Sequence, residues 1–297
     1  MYEKILVPLD GSDLCELVLP YVEELAEKLR SKAILLHVCP PKLGSFSHKH
    51  EVYIENMAQV VRGHLKGEGE VEAILLAGEP NREIVGYARR ENITLIAMVT
   101  HGQSGMKRWV LGSTADKVIR ETSKPVLLIR TGTPPAVREE GILNKLLVPL
   151  DGSKVSEVIF PYVEELVLRV VTKAKLAKLE VSLLQVIAPS RYVASGTTLS
   201  VIPYGEAELE ELKRKTEDYL EKAGSGLKNK GINVKCNVVV GSAAEEIINF
   251  ADKVGANLIA MSTHGYSGFN RLFLGSVADR VLHHGNTPLL LVKLPET

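Results

Sequence analysis

Short, nearly unbroken apolar runs alternate along this chain with longer stretches in which apolar residues recur every three or four positions. Lys4 to Leu9 is such a run, stopped by Asp10-Gly11-Ser12, which suits a parallel strand buried on both faces. Leu14, Leu17, Val18, Tyr21, Val22, Leu25 and Leu29 then follow a helical spacing, with Pro20 either in the first turn or at a kink. Further strands are predicted at Ala33–Val38, Val71–Ala77, Leu95–Thr100 and Val126–Arg130, and helices near Val52–Leu65, Asn81–Arg90 and Ser113–Glu121. The order is βαβαβαβαβ.

The whole pattern is then repeated. Ile5-Leu6-Val7-Pro8-Leu9-Asp10-Gly11-Ser12 matches Leu146-Leu147-Val148-Pro149-Leu150-Asp151-Gly152-Ser153, and Pro20-Tyr21-Val22-Glu23-Glu24-Leu25 matches Pro161-Tyr162-Val163-Glu164-Glu165-Leu166. Gly78, His101 and Pro125 match Gly241, His264 and Pro288 at a wider interval, so the second copy carries an insertion between its first helix and its third strand. The insertion falls in and after Ser190–Thr198, read as a loop that could cover a ligand or merely decorate the surface, followed by a helix from about Glu206 to Leu220. Second-copy strands are predicted at Lys145–Leu150, Leu179–Val186, Asn233–Val240, Leu258–Thr263 and Pro288–Lys293. Two long units mean domain duplication rather than a solenoid. The domains are placed at residues 1–131 and 143–297, joined by a proline-bearing linker at 132–142.

Right-handed crossovers make each copy a doubly wound parallel five-stranded sheet with helices on both faces, and ligands are expected at the carboxyl ends of the strands where strand order reverses. Both copies place glycines there. The first reads His101-Gly102-Gln103-Ser104-Gly105 and then Leu111-Gly112-Ser113; the second reads His264-Gly265-Tyr266-Ser267-Gly268 and then Leu274-Gly275-Ser276. A helix start offers unpaired N–H groups and the positive end of the dipole to an anion, and glycine lets the anion approach. Ser113-x-x-Asp116 and Ser276-x-x-Asp279 also resemble capping boxes, so helix capping and phosphate binding remain alternatives for the same donors.

Composition narrows the classes. The 297 residues, 45% apolar, suit two domains of roughly 140 residues, each burying about two thirds of its unfolded surface. Basic and acidic residues balance at 36 each, against a broad nucleic-acid footprint or an anionic membrane partner. Cys15, Cys39 and Cys236 form no CxxC pair, which argues against a disulfide framework or zinc ribbon. No apolar run approaches the ~18 residues of a membrane span, so a cytoplasmic protein is expected. His101 and His264 have no serine or carboxylate arrangement that would make a triad, and each is read as a hydrogen-bonded turn residue. His48, His50, His283 and His284 lack counterparts and are read as solvated side chains rather than metal ligands; Lys107, Arg108 and Arg271 lie between the glycines and could reach a phosphate, although exposed basic residues are common in such a segment.

With these motifs in place, the chain resembles a tandem universal stress protein. Nucleotide-binding members of that family carry a G-x2-G-x9-G-[ST] signature, and its last two elements fit Gly102 with Gly112-Ser113 and Gly265 with Gly275-Ser276; Val99 and Ser262 stand at the first glycine. The resemblance implies the adenine nucleotide alpha hydrolase-like fold, sheet order 3-2-1-4-5, binding ATP or AMP, with Mg²⁺ accompanying ATP. On that basis the nucleotide-binding residues of the first copy are Pro8, Asp10, Val38, Gly102, Gly105, Gly112, Ser113 and Thr114. Those of the second are Pro149, Asp151, Val186, Gly265, Gly268, Gly275, Ser276 and Val277. Asp10 and Asp151 would sit beside the nucleoside and the Val38 and Val186 backbones at the adenine edge, although an aspartate before glycine is also an ordinary turn former. The resemblance further implies pairing of the two last strands and a homo-oligomer, a dimer. The expected function is nucleotide-dependent stress regulation with little or no turnover. The alternatives are a slow ATPase or phosphotransferase, which lacks a Walker lysine, and a nucleotide-free dimerisation module.

Overall fold

A computed structural model gives the fold and describes residues 1–40, 48–65, 69–100, 111–130, 133, 142–170, 179–195, 198–263 and 274–294. The first half runs β1 (Lys4–Leu9), α1 (Leu19–Leu29), β2 (Lys32–Cys39), α2 (His48–His64), β3 (Val71–Ala77), α3 (Pro80–Arg90), β4 (Leu95–Val99), α4 (Ser113–Glu121) and β5 (Val126–Ile129). The second half runs β6 (Lys145–Leu150), α5 (Phe160–Val170), β7 (Glu180–Ile187), a hairpin of β8 (Ser190–Ser195) and β9 (Thr198–Pro203), α6 (Glu206–Asn229) and β10 (Asn233–Val240). It closes with α7 (Ala243–Val254), β11 (Leu258–Ser262), α8 (Ser276–His284) and β12 (Leu289–Val292). Pro20 and Pro161 are the second residues of α1 and α5, where a missing N–H breaks no helical bond, and a short 3-10 turn precedes each helix.

The strands form one ten-stranded sheet of order β10-β7-β6-β11-β12-β5-β4-β1-β2-β3. Each half contributes the 3-2-1-4-5 order, all parallel. The halves meet where β5 and β12 pair antiparallel, with Leu128 opposite Leu289, Leu127 opposite Leu290 and Val126 opposite Leu291. Each of these strands would otherwise be an exposed apolar edge, so their union removes two aggregation-prone borders at once. A cation crosses the seam in each direction. Arg130 Nη2 donates to the Val281 carbonyl in α8 at 2.7 Å, and Lys293 Nζ donates to the Arg120 carbonyl in α4 at 2.6 Å.

The core lies on both faces of the sheet. Alternate residues of the same strand separate cleanly, Ile5 and Val7 packing with α1 and α2, and Leu6 with α3 and α4. Ile5, Leu6 and Val7 are all fully buried, each contributing about 1.5–3 kcal/mol by its removal from water.

Two expectations for the insertion change. The stretch after β7 is an antiparallel hairpin, pairing Arg191 with Ile202 and Ser190 with Pro203, rather than a loop. Helix α6 continues past Leu220 to Asn229, because Gly224 is a packing residue and not a stop. A Cβ there would meet Leu183 Cδ1 at 2.8 Å, so the missing side chain lets the helix press onto the sheet.

Candidate functional site

Strand order reverses between β1 and β4 and again between β6 and β11, and both ladders close early. β1 pairs with β4 only through Ile5–Leu95 and Leu6–Ile96, and β6 with β11 only through Leu146–Leu258 and Leu147–Ile259. Beyond these pairs come Pro8 and Pro149, which have no N–H to continue a ladder. A crevice opens in each half at this point. The first, about 280 Å³, is lined by Pro8, Asp10, Val38, Gly112, Ser113 and Thr114 among others; the second, about 230 Å³, by Pro149, Asp151, Val186, Gly275, Ser276 and Val277 among others. Twelve residues predicted from sequence are thus brought together in two equivalent clefts. Gly102, Gly105, Gly265 and Gly268 lie outside the described residues, as do His101, His264, Lys107, Arg108 and Arg271.

The helix starts settle how the serines are used. Gly112 and Gly275, not Ser113 and Ser276, are the N-cap residues, and neither helix has a side-chain cap hydrogen bond. The capping-box reading is therefore corrected: each serine is the first helical residue. The Gly112 and Gly275 N–H groups donate to the Thr100 and Thr263 carbonyls at 2.7 and 2.8 Å, tying each helix start to the end of the neighbouring strand. Their φ angles are −60° and −62°, open to any residue, so backbone conformation does not require glycine at either position. Val99 and Ser262 close β4 and β11 as ordinary strand residues and line the clefts.

Asp10 and Asp151 both line the clefts and build their turns. Asp10 Oδ1 accepts from the Ser12 N–H at 3.0 Å and the Ser12 hydroxyl at 2.6 Å; Asp151 Oδ1 accepts from Ser153 at the same two distances. The glycine between them takes φ near +86° in one copy and +85° in the other, a left-handed conformation that explains its presence. The turn-former reading is thus seen in both copies, and the same two aspartates line the clefts.

Other lining residues were not singled out from sequence, including Ile84, Met98 and Cys15 with their partners Ile247, Met261 and Ser156. The repeat could have shown them, since the copies match at these positions in kind or nearly so. No hairpin residue lines the second cleft among the described residues, so the ligand-covering reading of the insertion gains no support.

Beside the first cleft, on the other face of β2, a cluster appears that the sequence reading did not assemble. His37, 4% exposed, places Nδ1 2.8 Å from the Leu9 carbonyl and Nε2 2.8 Å from His50 Nδ1. The Tyr53 ring meets His37 edge-on, and its hydroxyl donates to Glu16 Oε1 at 3.3 Å. Burial holds the His37 pKa below its ordinary value and pushes the Cys39 and Cys15 thiols up. His50 is accordingly no solvated side chain. His48 is solvated, its side chain 88% exposed, while His283 and His284 meet carbonyls of their own helix, Asp279 and Arg280.

This arrangement defines a class: a duplicated α/β protein with a cleft at each strand-order reversal. Sequence comparison places it more closely. The profile of the Universal stress protein family matches residues 1–130 and 143–293, and the chain belongs to that family with two of its domains in tandem. Universal stress protein MJ0531 of Methanocaldococcus jannaschii is 32% identical over 157 residues, covering 53% of this chain and 86% of that protein. A universal stress protein of Mycolicibacterium smegmatis is 26% identical over 243 residues, covering 81% and 75%. In fold, the crystal structure of a universal stress protein from Archaeoglobus fulgidus matches 99% of this chain and 97% of its own with TM-score 0.67 at 22% identity. A further family structure, solved in complex with cAMP, covers 44% of this chain at TM-score 0.35 and 22% identity. No helix among the described residues is long and apolar enough to cross a membrane.

Proposed function

We propose that each half binds an adenine nucleotide, ATP or AMP, and that occupancy regulates a partner in a cytoplasmic stress response with little or no turnover. The observation that carries this reading is the pairing, twice in one chain, of a strand-reversal cleft with a glycine-led helix start that has no side-chain cap. Apolar walls such as Val38, Ile84 and Met98 suit a flat base, and the helix start suits a phosphate. The clefts sit near the lower end of small-molecule sites, roughly 300 Å³, which matches a nucleoside whose phosphates extend toward the helix. The reading favours binding over catalysis because the one carboxylate lining each cleft, among the described residues, holds its own turn. Mg²⁺ would accompany the phosphates of ATP rather than a carboxylate pair. In this reading the domain boundaries are residues 1–131 and 143–297. The β5–β12 seam uses the two last strands to pair the halves within the chain, so a homodimer would use another surface.

Calorimetric titration with ATP, AMP and GTP, with and without Mg²⁺, tests the proposal. Two adenine-nucleotide sites per chain, GTP binding more weakly, and no phosphate release over many turnovers are expected. Absence of adenine-nucleotide binding would leave the nucleotide-free module; sustained phosphate release would make the protein an ATPase.

A further inference from the structure

We propose that His37, Cys39 and His50 form a Zn²⁺ site that exists in the first half only. His37 and Cys39 are alternate residues of β2 and so project to the same face, where α2 brings His50 against them. One donor atom from each lies within 4.8 Å of the other two. His37 and Cys39 are buried, at 4% and 6% exposure, and His50 is half-buried, so the site is shielded from bulk water. Two imidazoles and a thiolate are a donor set that suits a borderline-soft tetrahedral cation, with the fourth position left for water or a ligand.

The orientation of His37 supports the assignment independently of the clustering. Its Nδ1 faces the Leu9 carbonyl at 2.8 Å, and a carbonyl can only accept, so Nδ1 carries the proton and Nε2 presents its lone pair to His50 and Cys39. A metal-bound imidazole is commonly held by such a backbone carbonyl. Without metal, His50 Nδ1–H donates to that lone pair at 2.8 Å. On binding, the His50 proton moves to its Nε2, Nδ1 becomes a ligand, and the Cys39 thiol gives its proton to solvent. The balance is one proton released per Zn²⁺ bound. A tetrahedral site with bonds of about 2.0–2.3 Å has donor separations of about 3.3–3.6 Å, so the imidazole nitrogens part by about half an ångström and the sulfur closes in.

The second half supplies an internal contrast. Gln185 pairs with Leu150 as His37 pairs with Leu9, which puts Gln185 and Ile187 where His37 and Cys39 stand. Tyr219 donates to Glu157 as Tyr53 donates to Glu16, and one helical turn before each lie Thr216 and His50. All three donors are thus absent from the second copy while the frame around them is kept.

The test uses the untagged full chain, stripped of metal and without nucleotide, in competition with a chromophoric chelator for Zn²⁺ and with Co²⁺ as a spectroscopic probe. One Zn²⁺ and one released proton per chain are expected, together with a thiolate-to-cobalt charge-transfer band. His37→Gln and His50→Thr, which install the residues of the second copy, should each weaken Zn²⁺ binding at least ~100-fold, beyond the usual effect of losing a ligand's supporting group. Cys39→Ser should abolish the band, and His48→Ala should change nothing. The proposal is overturned if the wild-type chain retains no Zn²⁺, if its cobalt spectrum lacks the thiolate band, or if His48→Ala weakens binding as much as His50→Thr. The wild-type spectrum decides the matter even where a variant fails to fold, and none of these readouts depends on the nucleotide reading.

Discussion

Replacing Gly112 or Gly275 with valine should weaken adenine-nucleotide binding in that half while leaving the fold intact. Both glycines are N-caps with extended backbone angles, φ −60° and ψ 139° for Gly112 and φ −62° and ψ 147° for Gly275, so valine adopts the conformation without strain. The bonds to the Thr100 and Thr263 carbonyls use the backbone and survive. A poorer N-cap costs the helix about 0.5–1 kcal/mol, small against the stability of a two-domain chain. Binding loses more, because a branched side chain crowds the first N–H groups of α4 or α8. A hydrogen bond to a charged oxygen is worth about 1.5–3 kcal/mol, so losing one lowers affinity about 10- to 150-fold, and losing two multiplies the effect. Calorimetry on each single variant should show one weakened and one normal site; the double variant should show two weakened sites. If the double variant keeps its affinity with an unchanged circular dichroism spectrum, the helix starts do not hold the phosphates.

Three further outcomes are expected. Leu127→Ala and Leu290→Ala, truncating buried side chains that face each other across the seam, should each cost about 2–5 kcal/mol in urea unfolding, and a double-mutant coupling of at least about 0.5 kcal/mol should appear; strict additivity would mean that the strands do not pair. Burial holds the His37 pKa below its ordinary 6.5, so with chelator present the unfolded chain takes up a proton there before the folded one does, and stability is lost as pH falls from 6.5 through the folded value. His37→Gln should therefore flatten the stability difference between about pH 7.5 and 5.5; an unchanged slope would show that His37 titrates alike in both states. At limiting ATP the second half should fill first, since Ser262 is smaller than Val99 at the matching strand end beside the cleft, so Asp151→Asn should reduce the observed affinity more than Asp10→Asn; the reverse order would remove that residue pair as the cause.

The parts of the fold that were legible in the sequence are those fixed by local pattern. The runs at Lys4–Leu9 and Leu258–Ser262 are apolar because the central strands are covered on both faces, and a parallel order follows from the alternation of elements. The clefts were legible because two copies placed the same proline, aspartate and glycine at strand ends and helix starts. What escaped depends on contacts between distant segments. Gly224 looks like a helix breaker until Leu183 is seen against it, and the two strands after β7 pair only with each other, in a small sheet apart from the main one. His37 is a polar residue inside an apolar run of its strand, and nothing nearby in sequence predicts that α2 will bring His50 to it.

The duplication also explains why the two clefts are mechanically joined. Helix α4 opens the first cleft at its N-terminal end, and the carbonyl of Arg120 in its last turn receives Lys293 from the second half. Helix α8 opens the second cleft, and the carbonyl of Val281 near its C-terminal end receives the buried Arg130 from the first half. Each cation meets the negative end of the helix dipole whose positive end faces a cleft, an interaction worth up to about 2 kcal/mol when partly buried. Any shift of either helix must therefore move against a residue anchored just past the end of the other half's seam strand. Because those strands pair edge to edge, the halves do not behave as beads on a linker: the helix that opens the cleft of one half is bonded to a residue of the other.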